Sequence, residues 1–398
     1  MSSCLRVALA FVLVALLGCG RSTTAGGGPS AGSSTSPPVG SSATAADGSA
    51  PRPTASGPGD RSVSPPPAAS AAPASSPGGP LAGGWPPPVV DLHVDTVWKV
   101  NDQGRAASLP EGHVTAQKLR EGRYHAVVFA LYIPDRANER PSIRGLDDLY
   151  ATVEKIVAAN DLLQLAPPLP AAIAAPGTTR QGQVQVLLGI EGAEAFARDV
   201  GQIDRFIAKG VRLVGPVHSR DNSFSGSATG RARSGLSDLG RTLCRRVYER
   251  GALVDVSHMS DAAFWDLVSL ATEAHKPVVA SHSNARAICN HERNLSDEQL
   301  AAIAKSGGLA GLNLHRKFVR RSNARLEHVV EQVLHLVRVA GIDHVALGTD
   351  FDGGQPVPGL EDASRLPALA EALRTSGLGE GEVRKIFHGN ALRVLGSK

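Results

Sequence analysis

From residue 89 to residue 353 the chain repeats one unit eight times, a short apolar run followed by a longer amphipathic stretch. This periodicity restricts the fold more than any other feature. The apolar runs are VVDLHVD (89–95), HAVVFALYI (125–133), VQVLLGIEG (184–192), VRLVGPVH (211–218), ALVDVSH (252–258), PVVASHS (277–283), GLAGLNLH (308–315) and HVALGTDFDG (344–353). Between them lie LDDLYATVEKIVAANDLL (146–163), LSDLGRTLCRRVYERG (236–251) and LEHVVEQVLHLVRVAG (326–341), with apolar residues three and four apart as a helix requires. Strands alternating with helices predict an α/β fold with a parallel sheet. Eight units in roughly 310 residues fit a (β/α)8 TIM-type barrel better than an open doubly wound sheet. No glycine-rich phosphate loop follows the first run, which argues against a dinucleotide fold.

Seven of the eight runs end in an ionisable side chain. His93 and Asp95 close the first, Glu191 the third, His218 the fourth, His258 the fifth, His282 the sixth, His315 the seventh and Asp350 the eighth. In a barrel the C-terminal strand ends form the catalytic rim. One histidine at a strand end is usually a packed core residue; seven strand ends converging on one rim are hard to explain by packing. His275, His328 and His335 fall on helical stretches and are expected at the surface. In the first run Asp91, His93 and Asp95 share one strand face, with Val90, Leu92 and Val94 on the other. A charged stripe in an apolar strand is costly unless it is paired, and a metal ion is one such partner. Asp91, one layer deeper, is expected to orient His93.

The N-terminus reads differently. MSSCLRVALAFVLVALLGCG has one basic residue, an apolar run too short to span a membrane, and Cys19 directly after Leu-Leu-Gly. This layout resembles a bacterial lipoprotein signal (1–18) with Cys19 as the lipidation site, which implies a lipid-anchored protein of the bacterial cell envelope. Residues 19–86 are nearly all Gly, Ala, Ser, Thr and Pro, too poor in large apolar side chains to offset ordering, and are expected to be a disordered tether. The folded domain is expected over 87–398. The chain carries 41 Lys and Arg against 37 Asp and Glu, too small an excess to suggest a nucleic-acid partner. Of the four cysteines, Cys244 and Cys289 remain in the domain, as one disulfide or as two buried thiols.

Imidazole and carboxylate groups without thiolates suit zinc or a similar divalent ion at a catalytic site. His93 and Asp95 can grip one ion, His258 and His282 a second, and Glu191 can bridge the two. Two such ions can hold a hydroxide and polarise the carbonyl it attacks, which is chemistry for hydrolysing an amide or ester.

These residues sit in motifs that resemble the membrane (renal-type) dipeptidase family. The motifs are His93-x-Asp95 with Trp98 following, GIEGAEAF around Glu191, GVRLVGPVHSRDN around His218 and GLSDLGR. After them come VDVSHMS around His258, SHSNARAICNHERNLSD around His282 and Arg293, LGTDFDGG around Asp350, and HGNALRVL. They occur in order along the whole folded part. The resemblance implies two zinc ions, one on His93, Asp95 and Glu191, the other on Glu191, His258 and His282. It also implies that His218 bonds the scissile carbonyl oxygen, Arg293 pairs with the substrate carboxylate, and Asp350 carries the proton from the hydroxide to the leaving amine. Asp352 competes with Asp350 for that role. Trp98 lines the pocket or packs over the barrel mouth.

Two positions depart from the family pattern. Ala193 stands where the family usually has a glycine, and His315 replaces an aromatic residue bordering the substrate pocket, so His315 bears on specificity. The expected activity is cleavage of L-Xaa–Xaa dipeptides, including those with a C-terminal D-residue. Another dizinc amide, ester or β-lactam hydrolase is the alternative, and a catalytically inactive binding lipoprotein a third. Family members are often homodimers, but no stretch of this sequence indicates an interface.

Overall fold

A computed structural model describes residues 84–135, 141–179 and 182–396. The expected signal sequence (1–18), Cys19 and the expected tether as far as residue 83 lie outside the described residues, and no described helix is long and apolar enough to cross a membrane. The strands are β1 (Val89–Val94), β2 (Tyr124–Tyr132), β3 (Leu163–Leu165), β4 (Val184–Glu191), β5 (Val211–Gly215), β6 (Leu253–Val254), β7 (Val279–Ala280), β8 (Leu309–Leu312) and β9 (Val345–Leu347). All pair in parallel, in the order β6-β5-β4-β2-β1-β9-β8-β7. A single parallel bridge between Asp255 and Val279 joins the two ends of that order. Eight strands therefore form a nearly closed barrel with helices between them, as the eight-fold alternation predicts.

Serine side chains start many of the returning helices. Ser142, Ser237, Ser260 and Ser296 each accept a backbone N–H from the first turn of the helices Ile143–Ala158, Asp238–Glu249, Asp261–Glu273 and Asp297–Lys305. Ser296 and Gln299 complete a reciprocal capping box. The core lies between strands and helices, with all of β1, β4, β5 and β8 buried.

The structure corrects several expectations. The helix drawn over 146–163 stops at Ala158, because Asn160 turns its amide back onto the Ile156 carbonyl at 2.6 Å. Leu163–Leu165 then pairs with β4 as a ninth strand outside the ring. The fifth and sixth runs contribute only two ladder residues each, and their polar ends continue as turns. His335 is buried, not exposed, with Nε2 at 2.7 Å from Asp297. Of the two readings for Cys244 and Cys289, the two buried free thiols hold, and burial pushes the Cys244 thiol up to about 12.

Candidate metal centre and active-site cavity

The ends of β1 and β4, with the turns after β6 and β7, bring five buried side chains together. Around Glu191 Oε1 lie His258 Nε2 at 2.9 Å, His93 Nε2 at 3.6 Å and His282 Nε2 at 3.6 Å. Asp95 Oδ2 is 3.4 Å from His93 Nε2, and the two nitrogens of His258 and His282 are 3.0 Å apart. Two triads, His93–Asp95–Glu191 and Glu191–His258–His282, each have ligand atoms within 4.8 Å of one another and share Glu191.

This donor set fits a cation. His93 Nε2 is buried without a hydrogen-bond partner, which is costly for a polar atom that nothing else occupies. Burial lowers the pKa of the His93 imidazole, but the Glu191 and Asp95 carboxylates outweigh it and raise it to about 10, so positive charge is strongly favoured there. Burial pushes His258 and His282 well below the ordinary histidine value, leaving neutral imidazoles of the kind metals bind. His282 is oriented from behind: Ser281 Oγ lies 2.6 Å from its Nδ1 and donates to Asp255 Oδ2 at 2.5 Å. His258 has φ +74°, a left-handed conformation that a bulky residue adopts only where its surroundings fix it.

Asp95, Glu191, His258 and His282 floor a cavity of about 270 Å3, whose walls include Trp98, Tyr132, His218, His291, Arg293, His315, Phe318 and Asp350. Asp350 takes φ +62°, and burial, with Asp95 beside it, raises its carboxyl to about 7. Its Oδ2 accepts the Asn313 amide at 3.0 Å. A side chain at Gly353 would collide with both Asp95 Oδ2 and Asp350 Oδ1, so this glycine lets the turn close over the site. Asp352, the competing candidate, is bonded elsewhere: it pairs with Arg105, accepts Thr96 Oγ1 at 2.8 Å and accepts the His113 N–H at 3.0 Å. His218 Nδ1 meets Asp135 Oδ2 at 3.0 Å; burial opposes its charge, but Glu191 and Asp135 raise its pKa. Arg293 is buried in the wall, and among the described residues its guanidinium makes no ion pair. Trp98 lines the cavity, edge-on to Tyr132. His315 also lines it, but its Nδ1 accepts the Lys317 N–H and burial lowers its pKa to about 4, so it is a neutral wall residue.

A model of the membrane dipeptidase family, peptidase family M19, matches residues 86–398. The chain belongs to this family. It is a hydrolase of the dipeptidase type. Among its relatives, the dipeptidase tcpJ of Claviceps purpurea is 30% identical over 322 residues, 75% of this chain and 72% of that protein. An uncharacterized protein in the pqqA 5′ region of Klebsiella pneumoniae is 39% identical over 217 residues, 52% of this chain and 79% of that protein. The crystal structure of a metallo peptidase from Rhodobacter sphaeroides, liganded with a phosphinate mimic of the dipeptide L-Ala-D-Ala, superposes with a TM-score of 0.68. It is 28% identical and covers 77% of this chain and 98% of that one.

Within this dipeptidase-family barrel, four of the five expected ligands, Asp95, Glu191, His258 and His282, line one cavity with His218, Arg293, Asp350, Trp98 and His315, and His93 lies behind them with its Nε2 3.6 Å from Glu191 Oε1. Asp91 does not orient the His93 ring: its Oδ1 accepts the His93 and Thr349 N–H groups, and its Oδ2 accepts Tyr124 and Thr349 hydroxyls. Sequence reasoning missed Asp135, Asp255, His291 and Asn313. Asp135 follows the second run and Asp255 lies within the fifth, so a search of every strand end for carboxylates would have found the first of these.

Proposed function

We propose that the chain hydrolyses dipeptides bearing a free C-terminal carboxylate, using two zinc ions. His93, Asp95 and Glu191 would hold one, and Glu191, His258 and His282 the other. The observation that carries this reading is the pair of buried triads sharing Glu191 at the floor of a cavity walled by an unpaired arginine. When bound, such metal ions would supply an activated water as nucleophile at neutral pH and would polarise the scissile carbonyl.

The chain's own groups supply the rest. Arg293 offers a planar fork to the terminal carboxylate and so fixes the peptide's direction. Asp135 favours the protonated His218 ring, whose Nε2–H donates to the carbonyl oxygen as charge develops there. Asn313 occupies Asp350 Oδ2, leaving Oδ1 to take the nucleophile's proton and deliver it to the leaving amine. A carboxyl near 7 is suited to both halves of that transfer. Acceptance of a C-terminal D-residue draws support from the mimic bound to the Rhodobacter sphaeroides relative. The unpaired Arg293 favours this substrate class over neutral esters, and the full complement of ligands together with Asp350 argues against a retired binding protein. Lipid attachment at Cys19 would place the enzyme at the bacterial envelope; finding a Cys19→Ser protein still in the membrane fraction would refute that.

The deciding experiment measures metal per chain by mass spectrometry on the sample assayed against Ala–D-Ala and L,L dipeptides. Two zinc ions with turnover abolished by EDTA and restored by zinc is the expected result. No bound metal after reconstitution would sink the proposal.

A further inference from the structure

Beside the catalytic cavity opens a wider groove of about 750 Å3, and His315 and Gly353 line both spaces. The wall between them is ordered. The Arg293 guanidinium lies 5.6 Å from the Phe318 ring, and Phe318 stacks on His315 at 4.5 Å and 26°. The Phe318–His315 stack therefore lies between Arg293, where the dipeptidase reading puts the substrate carboxylate, and the entrance to the groove. His315 Nδ1 accepts the Lys317 backbone N–H at 3.2 Å, which leaves the ring proton on Nε2 as a donor. Gly354 lets the ring sit there: a Cβ at that position would come within 2.6 Å of His315 Cδ2.

The groove is positively charged. Arg105 and Asp352 neutralise each other, leaving Lys99 and Lys317 against the single carboxylate of Glu111. The segment that supplies Lys317 reinforces this, since no Asp or Glu lies between Glu298 and Glu327 while Arg316, Lys317, Arg320 and Arg321 follow His315. Such a field raises the local concentration of anions and selects among otherwise similar ligands.

We propose that this groove is a specificity subsite for an acidic side chain on the substrate's C-terminal residue, with Lys317 and Lys99 attracting the carboxylate and His315 Nε2–H donating to it. The inference rests on the dipeptidase reading for which end of the peptide lies there. It sharpens that reading from dipeptides in general to those carrying a second carboxylate.

The test compares Ala–Glu with its neutral isostere Ala–Gln on the zinc-loaded full chain, each with an L- and a D-configured second residue. The expected kcat/KM ratio favours Ala–Glu by about tenfold, the equivalent of one partly screened ion pair, and shrinks as salt is added. Lys317→Gln is expected to bring the ratio toward one and Lys317→Arg to retain it. His315→Phe, which keeps the stack on Phe318, is expected to lower Ala–Gln turnover relative to Ala–Leu. Equal turnover of Ala–Glu and Ala–Gln by the wild type, or a ratio unmoved by Lys317→Gln, overturns the proposal. Calorimetric affinities of the same peptides for the EDTA-treated protein separate the two failures. If no dipeptide is cleaved but Ala–Glu still binds more tightly than Ala–Gln, the catalytic reading falls and the subsite stands. Equal affinities overturn the subsite whatever the enzyme cleaves.

Discussion

A buried guanidinium without a carboxylate partner is an expensive side chain, and among the described residues Arg293 has no such partner. Burial depresses its pKa, and only the more distant charges of Asp350, Glu191 and Asp255 oppose that. A substrate carboxylate would complete the pair, so the cost is recovered on binding. Arg293→Gln should therefore weaken kcat/KM for a dipeptide by roughly 30-fold, corresponding to about 2 kcal/mol for a lost charge-assisted bond. It should also erase the wild type's preference for a dipeptide over the dipeptide amide; a preference that survives the substitution assigns the carboxylate to another group. At this scale the sequence was legible where a residue's chemistry is unusual for its position. His93 and Asp95 in an apolar strand stand out because burying them alone is costly. Asp135 and Asn313 do not, because a carboxylate after a strand or an amide near a turn is ordinary until its partner, 83 or 37 positions away, is known.

The ladder is thinnest where the proposed metal ligands are densest. β6 and β7 are two residues each, and the Asp255 carboxylate stands in for the missing ladder bonds. It accepts the Ser257 N–H at 3.0 Å, the Ser281 N–H at 2.9 Å and the Ser281 hydroxyl, which also touches His282. The Asp255 side chain thus reinforces the backbone bridge to Val279 that closes the barrel and also fixes the serine behind His282. Asp255→Ala should cost about 3–5 kcal/mol, because it strands buried donors. Asp255→Asn should lower metal affinity by roughly 10- to 100-fold, as for groups that orient a ligand. Urea unfolding and a zinc titration read the two effects separately, and an Asn variant with wild-type zinc affinity would show that Asp255 does not act on His282. The runs of the strands were readable as apolar words, but their lengths were not. Nothing in VDVSH or VASHS marks where backbone pairing ends and side-chain pairing takes over. The same limit explains β3, whose two leucines continue the periodicity of the helix before it and become a strand only because Asn160 ends that helix and β4 offers an edge.

Across the whole molecule, imidazoles held neutral by burial also occur away from the proposed metal ligands, His125 fully buried and His388 half-buried. His125 and His388 both have pKa values lowered by burial, His388 to about 4, and each has an unpartnered Nδ1. His388 sits in a π-helical turn (Lys385–Gly389) and bonds the Pro88 carbonyl just before β1, so it ties the end of the domain to its first strand. That contact was illegible in the sequence, since it joins positions 88 and 388 and follows from barrel closure. The barrel itself was legible because its alternation is carried within each segment. A histidine whose folded pKa lies below its unfolded value of about 6.5 contributes stability that is complete above 6.5 and is lost as pH falls toward the folded value. The unfolded chain takes up a proton in that window and the folded one does not. His388 should thus make the domain on the order of 2 kcal/mol less stable at pH 4.5 than at pH 7, after allowing for its partial exposure. His388→Gln, which keeps a donor for Pro88, should flatten this part of the profile in urea unfolding of the EDTA-treated protein. Treating with EDTA removes the contribution of metal loss, which would otherwise fall in the same pH range. If the variant loses as much stability on acidification as the wild type, the acid lability lies with other histidines, and His388 takes up its proton in the folded state as it does in the unfolded one.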